Sequence, residues 1–166
     1  MNQHAAMKSM NAALRSEQRS YSYRHAISFE ETNVVGNVYF SHYISWQGRC
    51  RELFLRDYAP DVLEQLQNDL RLVTLNVSCD YFAELRALDE VEIEMGLAHL
   101  RQHRIGLTFK YSTHPPGSEV LVARGRQEVG CMRRTADGLV PTAVPASLAA
   151  ALASYAAPAP AETAEN

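Results

Sequence analysis

The sequence predicts an α+β fold in which an antiparallel sheet wraps around one long and mostly buried helix. The first observation is a single stretch of helical periodicity, residues 38–58, among segments in which apolar and polar residues alternate. The second is the order of the elements, because one strand precedes the helix and at least four follow it. The third is size, since 166 residues with 46% hydrophobic side chains supply one domain with one core.

The first strand is indicated by residues 21–29, in which mostly polar residues alternate with Tyr21, Tyr23, His25, Ile27 and Phe29. Residues 1–20 are polar and show no periodicity, so we expect a flexible N-terminal arm there. The folded domain is therefore predicted to occupy residues 21–142.

The central helix is predicted to begin near Asn37 or Val38 and to end near Tyr58, because Pro60 disfavours a helical conformation at the residue before it. One face is an apolar stripe suited to packing, made of Trp46, Cys50, Leu53 and Phe54. Another face carries side chains with polar ends at four-residue spacing, namely Tyr43, Gln47 and Arg51. The helix is thus expected to pack on one side and to carry polar chemistry on another.

The remaining elements follow from alternation and turn signals. A loose capping box at Asp61 and Glu64 predicts a short second helix that extends to about Asn68. Strands are then predicted at residues 72–82, 90–100, 104–113 and 119–133, and Asp137-Gly138 supports a further chain reversal. Residues 143–166 form an Ala/Pro-rich C-terminal tail, in which residues 147–155 are expected to add one or two helical turns.

Composition excludes several classes of function. The net charge of −3 gives no electrostatic footprint for a nucleic acid, and no apolar run reaches the ~18 residues of a membrane span. The three cysteines show no zinc-ligand spacing, and His99 and His103 have no evident third ligand, so neither a metal nor a cofactor is expected. The N terminus lacks the apolar segment of a signal peptide, so we expect a cytoplasmic protein.

The segment from residue 29 to residue 55 carries a family resemblance. It reads FEETNVVGNVYFSHYISWQGRCRELFL, and the segments LVT and DYFAE follow further along the chain. Together these motifs resemble the hotdog-fold thioesterases of the 4-hydroxybenzoyl-CoA type, and within them the thioesterases that accompany enediyne polyketide synthases. The resemblance covers about residues 21–134 and implies the hotdog fold.

The resemblance also implies a reaction and its partners. The expected substrate is a β-keto polyene acyl chain, bound through phosphopantetheine to the acyl carrier protein domain of an enediyne polyketide synthase. Hydrolysis would release an acid that can lose CO2. A general acyl-CoA thioesterase and a non-catalytic acyl-chain binder are the alternatives. Relatives of this kind are homo-oligomers, and the open edges of the predicted sheet favour a dimer or a dimer of dimers.

Many relatives carry a catalytic Asp where this chain has Asn33, and an amide cannot act as a carboxylate base. The resemblance therefore implies hydrolysis without an acidic residue at that position. It assigns the catalytic roles to Asn33, Tyr43, Arg51 and Thr74, and leaves open that Thr74 comes from the partner chain. Arg51 is charged and would stabilise the oxyanion, while Asn33 would orient the water or the carbonyl.

The predicted start of the central helix offers backbone N–H groups without helical partners. A Gly-Asn pair there lets a ligand approach the backbone closely. We therefore expect oxyanion and substrate binding from Gly36, Asn37, Val38 and Tyr39.

Other interpretations of these residues stay open. Glu31 lies two residues before Asn33 and is a rival base, while Asn33 is itself a residue favoured in turns. Cys50 is a rival nucleophile, although its place on the apolar stripe favours packing. Six arginines give the strand half a basic bias, which is either a solvated surface or a docking patch for an acidic carrier protein: Arg101, Arg104, Arg124, Arg126, Arg133 and Arg134.

Overall fold

The computed structural model describes residues 19–156 as a curved six-stranded antiparallel sheet with three helices. The strands are β1 (Tyr21–Ala26), β2 (Leu70–Tyr81), β3 (Glu90–Arg101), β4 (Arg104–Thr113), β5 (Val120–Thr135) and β6 (Gly138–Pro141). The helices are α1 (Phe40–Tyr58), α2 (Pro60–Gln67) and α3 (Ala146–Ala153). Residues 1–18 and 157–166 lie outside the described residues, and with them most of the predicted arm and the end of the predicted tail.

The strands follow the order β1-β3-β4-β5-β2, and β6 pairs with the end of β5. Side chains alternate across the sheet, so that Gln127 and Val129 of β5 are buried against the helix while Arg124 and Arg126 are exposed. The buried face of the sheet packs on α1. The predicted arrangement of a sheet wrapped around one helix is confirmed.

The central helix α1 is buried on two faces rather than one. Cys50 and Phe54 on the predicted apolar stripe are 0% and 1% exposed, and Gln47 on the predicted polar face is also 0% exposed. The hydroxyl of Tyr111 donates to the main-chain carbonyl of Tyr43 across this contact, at 2.7 Å. The face of Tyr43, Gln47 and Arg51 therefore points towards the sheet.

Helix α1 begins at Phe40, later than the start near Asn37 or Val38 that the sequence predicts. The N–H groups of Val38 and Tyr39 donate to the carbonyls of Leu85 and Glu31, at 2.8 and 3.0 Å. These bonds to other segments keep residues 38 and 39 out of the helix. Its end at Tyr58 agrees with the prediction.

Helix α2 begins at Pro60, which suits the first helical position because the N–H there has no helical partner. No side chain caps this helix, so the loose capping box at Asp61 is not formed. The Asp61 carboxylate instead accepts a hydrogen bond from the Ser147 hydroxyl at 2.6 Å. That bond ties α2 to α3.

Helix α3 lies in the segment that the sequence assigns to the tail, and it packs on the core. Leu148, Leu152 and Tyr155 are only 2–3% exposed. The Leu97 N–H also donates to the Tyr155 carbonyl at 2.9 Å, which fixes the chain after α3 to strand β3. The packed domain thus continues past the predicted boundary at residue 142. Within residues 19–156, no helix is both long and apolar enough to cross a membrane.

Candidate active site

Glu31 is a buried carboxylate at the entrance to α1. It accepts hydrogen bonds from the His25 Nε2 at 2.8 Å, the Trp46 indole N–H at 2.9 Å and the Ser28 N–H at 2.8 Å. Burial raises the pKa of Glu31, but these hydrogen bonds outweigh it and lower the pKa to about 2. A carboxylate with this pKa and so many donors is a weak base. The geometry gives Glu31 a positioning role between β1 and α1, and a catalytic role for it stays a prediction.

Asn33 forms a tight turn immediately after Glu31. Its side-chain Oδ1 accepts from the Val35 N–H at 3.0 Å, and its main-chain carbonyl accepts from the Gly36 N–H at 2.9 Å. Gly36 has a φ of 87°, a conformation that favours glycine. Asn33 therefore has a structural role in the turn, and the Nδ2 group is the part of its side chain that remains available to contact a substrate.

Most of the backbone N–H groups that were expected to bind the oxyanion are already hydrogen-bonded within one chain. The N–H groups of Gly36, Val38 and Tyr39 all donate to main-chain carbonyls, those of Asn33, Leu85 and Glu31. Because a donor already paired in this way adds little to an oxyanion, these three N–H groups do not form the preorganised hole that the sequence predicts. The expectation assumed a helix start at this point, whereas α1 begins at Phe40.

Asn37 contributes a side chain that sequence reasoning did not use. Its Nδ2 donates to the exposed carboxylate of Glu84 at 3.1 Å, and its Oδ1 is buried without a partner among the described residues. Since a carboxylate only accepts, Glu84 fixes which way the amide faces. Glu84 belongs to the DYFAE segment of the family pattern, which was the only sequence signal for it.

Tyr43 sits beneath this loop, with only 3% of its surface exposed. Its ring contacts Trp46, Tyr81 and Tyr111, with centroids 5.0–5.6 Å apart. Burial, together with the nearby Cys79, Tyr81 and Glu84, raises the pKa of Tyr43 above its ordinary value. Tyr43 is thus a neutral phenol that can donate or accept one hydrogen bond.

Arg51 lies further along α1 and faces β2 and β5. Its guanidinium donates to Gln127 Oε1 at 3.0 Å and lies 3.4 Å from Thr74 Oγ1. Within residues 19–156 it forms no salt bridge with a carboxylate. Burial lowers the pKa of Arg51, yet an arginine stays charged near neutrality. Partly buried positive charge without a counter-ion suits an oxyanion or a polarised carbonyl.

Arg51 and Thr74 therefore meet within one chain, while the option that Thr74 reaches Asn33 from a partner chain stays a prediction. Gln127 completes this group and was not predicted, although its inward place in a strand could have been read from the alternation of β5. Asn33 belongs to a different group. Arg51 lies eleven residues beyond Phe40, about 16 Å along the helix axis, so one chain does not bring Asn33 and Arg51 together.

A small apolar cavity of about 10 Å³ lies between α1, the sheet and α3, and Arg51 is its one charged lining residue. Its other lining residues are all apolar: Phe54, Leu55, Leu72, Met95, Ile105, Leu107, Val129, Leu148 and Leu152. Its volume leaves room for about one water molecule, so it is a gap in the packed core.

The remaining candidates have structural roles. Cys50 is fully buried, and burial raises its pKa to about 12, so the thiol is not an activated nucleophile. His99 pairs with Glu128 at 2.9 Å. No group of three His, Cys, Asp or Glu side chains in the described part of the chain could hold a metal ion.

Comparison with known proteins identifies the class of site. Residues 27–152 match the model of the thioesterase-like superfamily. Over 91 residues, the chain is 31% identical to a protein of Aquifex aeolicus that is provisionally named as an esterase, covering 55% of this chain and 70% of that one.

Two solved structures show the same fold. The dynemicin thioesterase, whose crystal structures concern induced-fit and allosteric effects of polyene binding, is 52% identical, with a TM-score of 0.82 over 85% of this chain and 100% of its own. The 4-hydroxybenzoyl-CoA thioesterase of Pseudomonas sp. strain CBS-3 is 19% identical, with a TM-score of 0.67 over 80% of this chain and 99% of its own. The predicted hotdog fold is confirmed, and the chain is a thioesterase that belongs to the thioesterase-like superfamily.

Proposed function

We propose that the protein hydrolyses a β-keto polyene thioester carried on the acyl carrier protein domain of an enediyne polyketide synthase. The observation that carries this proposal is the placement of Arg51, a charge without a carboxylate partner in the described chain, beside Thr74 and Gln127. A β-keto thioester offers carbonyl oxygens to such a charge. The 52% identity with a thioesterase that binds polyenes supports the same substrate class.

The chemistry is hydrolysis with electrostatic assistance. Water forms a bond to the thioester carbon, the C–S bond breaks, and the thiolate takes up the proton that water gives away. Arg51 stabilises the negative charge that develops on the carbonyl oxygen, while Thr74 and Gln127 hold the guanidinium in place. A thiolate leaves readily, so no carboxylate base is required. The β-keto acid produced can then lose CO2 without further help from the protein.

We further propose that the complete site lies between two subunits. In one chain, Arg51 lies about two turns of α1 beyond Tyr43 and about three turns beyond the helix start, to which the loop of Asn33 and Asn37 leads. Strand β2 is an edge strand with exposed Leu75 and Val77, which suits pairing with a second copy. A partner would then bring the Asn33 group of one subunit to the Arg51 group of the other.

The first test is hydrolysis of a β-keto acyl thioester by the wild type and by Arg51→Ala and Asn33→Ala. We expect each variant to lose at least about tenfold in kcat, because each removes a donor to the reacting carbonyl or water. Arg56→Ala, which removes an exposed arginine near the end of α1, is the matched control and should keep the wild-type rate. Normal rates in both site variants would remove these residues from the mechanism.

The same assay identifies the natural carrier. We expect a higher kcat/KM for the acyl chain on a carrier protein than on coenzyme A. The reverse preference would favour a general acyl-CoA thioesterase. Acyl binding without hydrolysis by the wild type would overturn the proposed reaction.

A further inference from the structure

Helix α1 and the edge strand β2 lie side by side and are joined by three polar contacts. The contacting pairs are Phe40 with Tyr81 at 3.1 Å, Gln47 with Ser78 at 3.1 Å and Arg51 with Thr74 at 3.4 Å. Residue numbers rise along the helix as they fall along the strand, so the three contacts hold one length of β2 against one length of α1. The position of the strand therefore determines what Arg51 meets.

A β-bulge in β2 turns Thr74 towards the helix. Thr74 pairs with the inward-facing Val129 of β5, whereas Asn76 pairs with Glu128 on the outer face. In a regular strand, residues two apart share one face, so Thr74 would lie with Asn76 on the outer face. The bulge between them shifts the register and brings the Thr74 hydroxyl to Arg51. This contact depends on the bulge staying in place.

Gln47 holds β2 beyond the bulge from a fully buried position. It is 0% exposed, and its Oε1 is buried without a partner among the described residues. A Cβ at Gly125 would lie 2.0 Å from its Nε2, so β5 carries a glycine where the carboxamide fits. A buried unpaired acceptor and a glycine inside a strand both lower stability. A methionine of the same length would fill the space without the unpaired acceptor, so packing alone does not account for a glutamine here.

We propose that Gln47 is a positioning residue for the reaction and acts on Arg51 through strand β2. Its hydrogen bond to Ser78 holds the strand beyond the bulge and so keeps Thr74 next to the guanidinium. A shift of β2 relative to α1 would separate the Thr74 hydroxyl from the guanidinium and let the charge move away from the reacting carbonyl. This inference rests on the proposed function, because it takes Arg51 as the group that stabilises the carbonyl oxygen.

The first measurement tests the position of β2. Hydrogen exchange with mass spectrometry follows residues 74–81 in the full-length wild type and in Gln47→Met, which keeps the side-chain length and removes the carboxamide. We expect exchange in this segment to become at least about threefold faster, because a strand released from the helix opens more often. Gln65→Met makes the same chemical change on α2 and should leave exchange at residues 74–81 unaltered.

The second measurement tests the reaction, with a β-keto acyl thioester of N-acetylcysteamine as the substrate. Gln47→Met should lower kcat at least about fivefold and keep KM within about twofold of the wild type, because a displaced charge stabilises the transition state less. The melting temperature should change little, since the loss of one hydrogen bond is offset by removal of the unpaired acceptor. Gln65→Met should keep the wild-type kcat.

A double-mutant cycle separates a positioning role from a merely structural one. If Gln47 acts through Arg51, Gln47→Met/Arg51→Ala should hydrolyse the thioester within about twofold of the rate of Arg51→Ala alone. Losses that multiply in the double variant would overturn the proposal, as would unchanged exchange at residues 74–81. If Gln47→Met does not fold, Gly125→Ala, which presses on the same carboxamide from β5, replaces it in all three measurements.

Failure of the proposed function gives a different pattern. If the wild type hydrolyses no thioester, or if Arg51→Ala keeps the wild-type rate, the proposed reaction is wrong, and hydrogen exchange alone decides whether Gln47 holds β2. If Arg51→Ala is impaired and Gln47→Met keeps the wild-type kcat, only the inference about Gln47 is wrong.

Discussion

At the scale of single residues, the carboxylate of Glu31 and the carboxamide of Asn33 show how the hydrogen-bond environment gives two nearby residues different roles. Glu31 has four donors from three residues, His25, Ser28 and Trp46, and its pKa is held near 2. The Oδ1 atom of Asn33 accepts a hydrogen bond within its own turn, which leaves the side-chain N–H groups available to a substrate. The family resemblance made Asn33 a candidate for catalysis, and the position of Glu31 two residues before it made Glu31 a rival. Only the count of hydrogen-bond partners separates the positioning residue from the one available to a substrate.

Glu31→Gln should therefore destabilise the protein while leaving catalysis intact. The substitution removes the charge that several donors share and turns an N–H group towards them, so we expect a loss of about 2–3 kcal/mol in the free energy of unfolding. Urea unfolding measures that loss, and kcat of the folded variant should stay within twofold of the wild type. A large fall in kcat with unchanged stability would return Glu31 to the position of general base.

The same carboxylate makes a specific contribution to pH dependence. Its pKa is lowered from 4.5 to about 2 on folding, so its stabilising effect is complete above pH 4.5 and is lost as the pH falls towards 2. The shift corresponds to about 3 kcal/mol. Urea unfolding of the wild type between pH 5 and pH 2 should show this loss, and Glu31→Gln should show a flatter profile over the same interval.

At the scale of elements, strands β3, β4 and β5 were predictable because each has a buried face. Alternation placed β4 at its observed bounds and the other long strands within two residues of theirs. The start of α1 was not predictable, because hydrogen bonds from residues far along the chain, such as the Leu85 carbonyl, hold the preceding segment extended. Helix α3 was underestimated because an Ala-rich segment has the same composition in a tail and in a packed helix.

Two glycines, Gly125 in β5 beside α1 and Gly48 in α1, should change stability in opposite directions when they are replaced by alanine. A Cβ at Gly125 would lie 2.0 Å from the Gln47 Nε2 atom, whereas a Cβ at Gly48 in α1 would meet nothing within 4 Å. We expect Gly125→Ala to destabilise the protein by about 1–3 kcal/mol through overpacking. Gly48→Ala should instead stabilise it by up to about 1 kcal/mol, because alanine favours a helix over glycine. Melting temperatures that move in the same direction would contradict this account of the interface.

At the scale of the whole molecule, the family pattern named candidate site residues but could not give their arrangement. It named Asn33, Tyr43, Arg51 and Thr74, but spacing along a chain cannot show which of them meet. The fold joins Arg51 to Thr74 and adds Gln127, while Asn33 lies with Asn37 near Glu84. Gln127 and Glu84 escaped prediction because each is separated in sequence from its contact by more than forty residues.

The proposed carrier protein should bind through the basic residues of the strand half. Arg133 pairs with Asp69 and Arg104 lies near Glu128, whereas Arg124 and Arg126 form no salt bridge within the described residues. We expect Arg124→Glu/Arg126→Glu to raise KM for a carrier-bound substrate at least about fivefold. The same variant should hydrolyse a small acyl thioester of N-acetylcysteamine, which has no carrier protein, at the wild-type rate. Arg24→Glu/Arg56→Glu makes the same change in net charge elsewhere and is the control. Equal effects of both pairs would show a general charge effect and no docking patch.

If the complete site is shared between two subunits, two inactive variants should regain activity when they form mixed dimers. Asn33→Ala and Arg51→Ala should each be inactive alone. In a mixed dimer, one site receives both substitutions, while the other receives an intact Asn33 from one subunit and an intact Arg51 from its partner. Random exchange makes half of the dimers mixed, and each has one of two sites intact, so activity should recover to about a quarter of the wild type.

The exchange is checked by giving the two variants different affinity tags and purifying the doubly tagged species, which should show about half the wild-type activity per dimer. Mixing two samples of Arg51→Ala is the control and should recover nothing. If verified mixed dimers show no activity, Asn33 and Arg51 either act in separate sites or act together within a single chain. Recovery would establish that the separation of about 16 Å along α1 is closed by the second subunit, and that the enzyme is active only as an assembly.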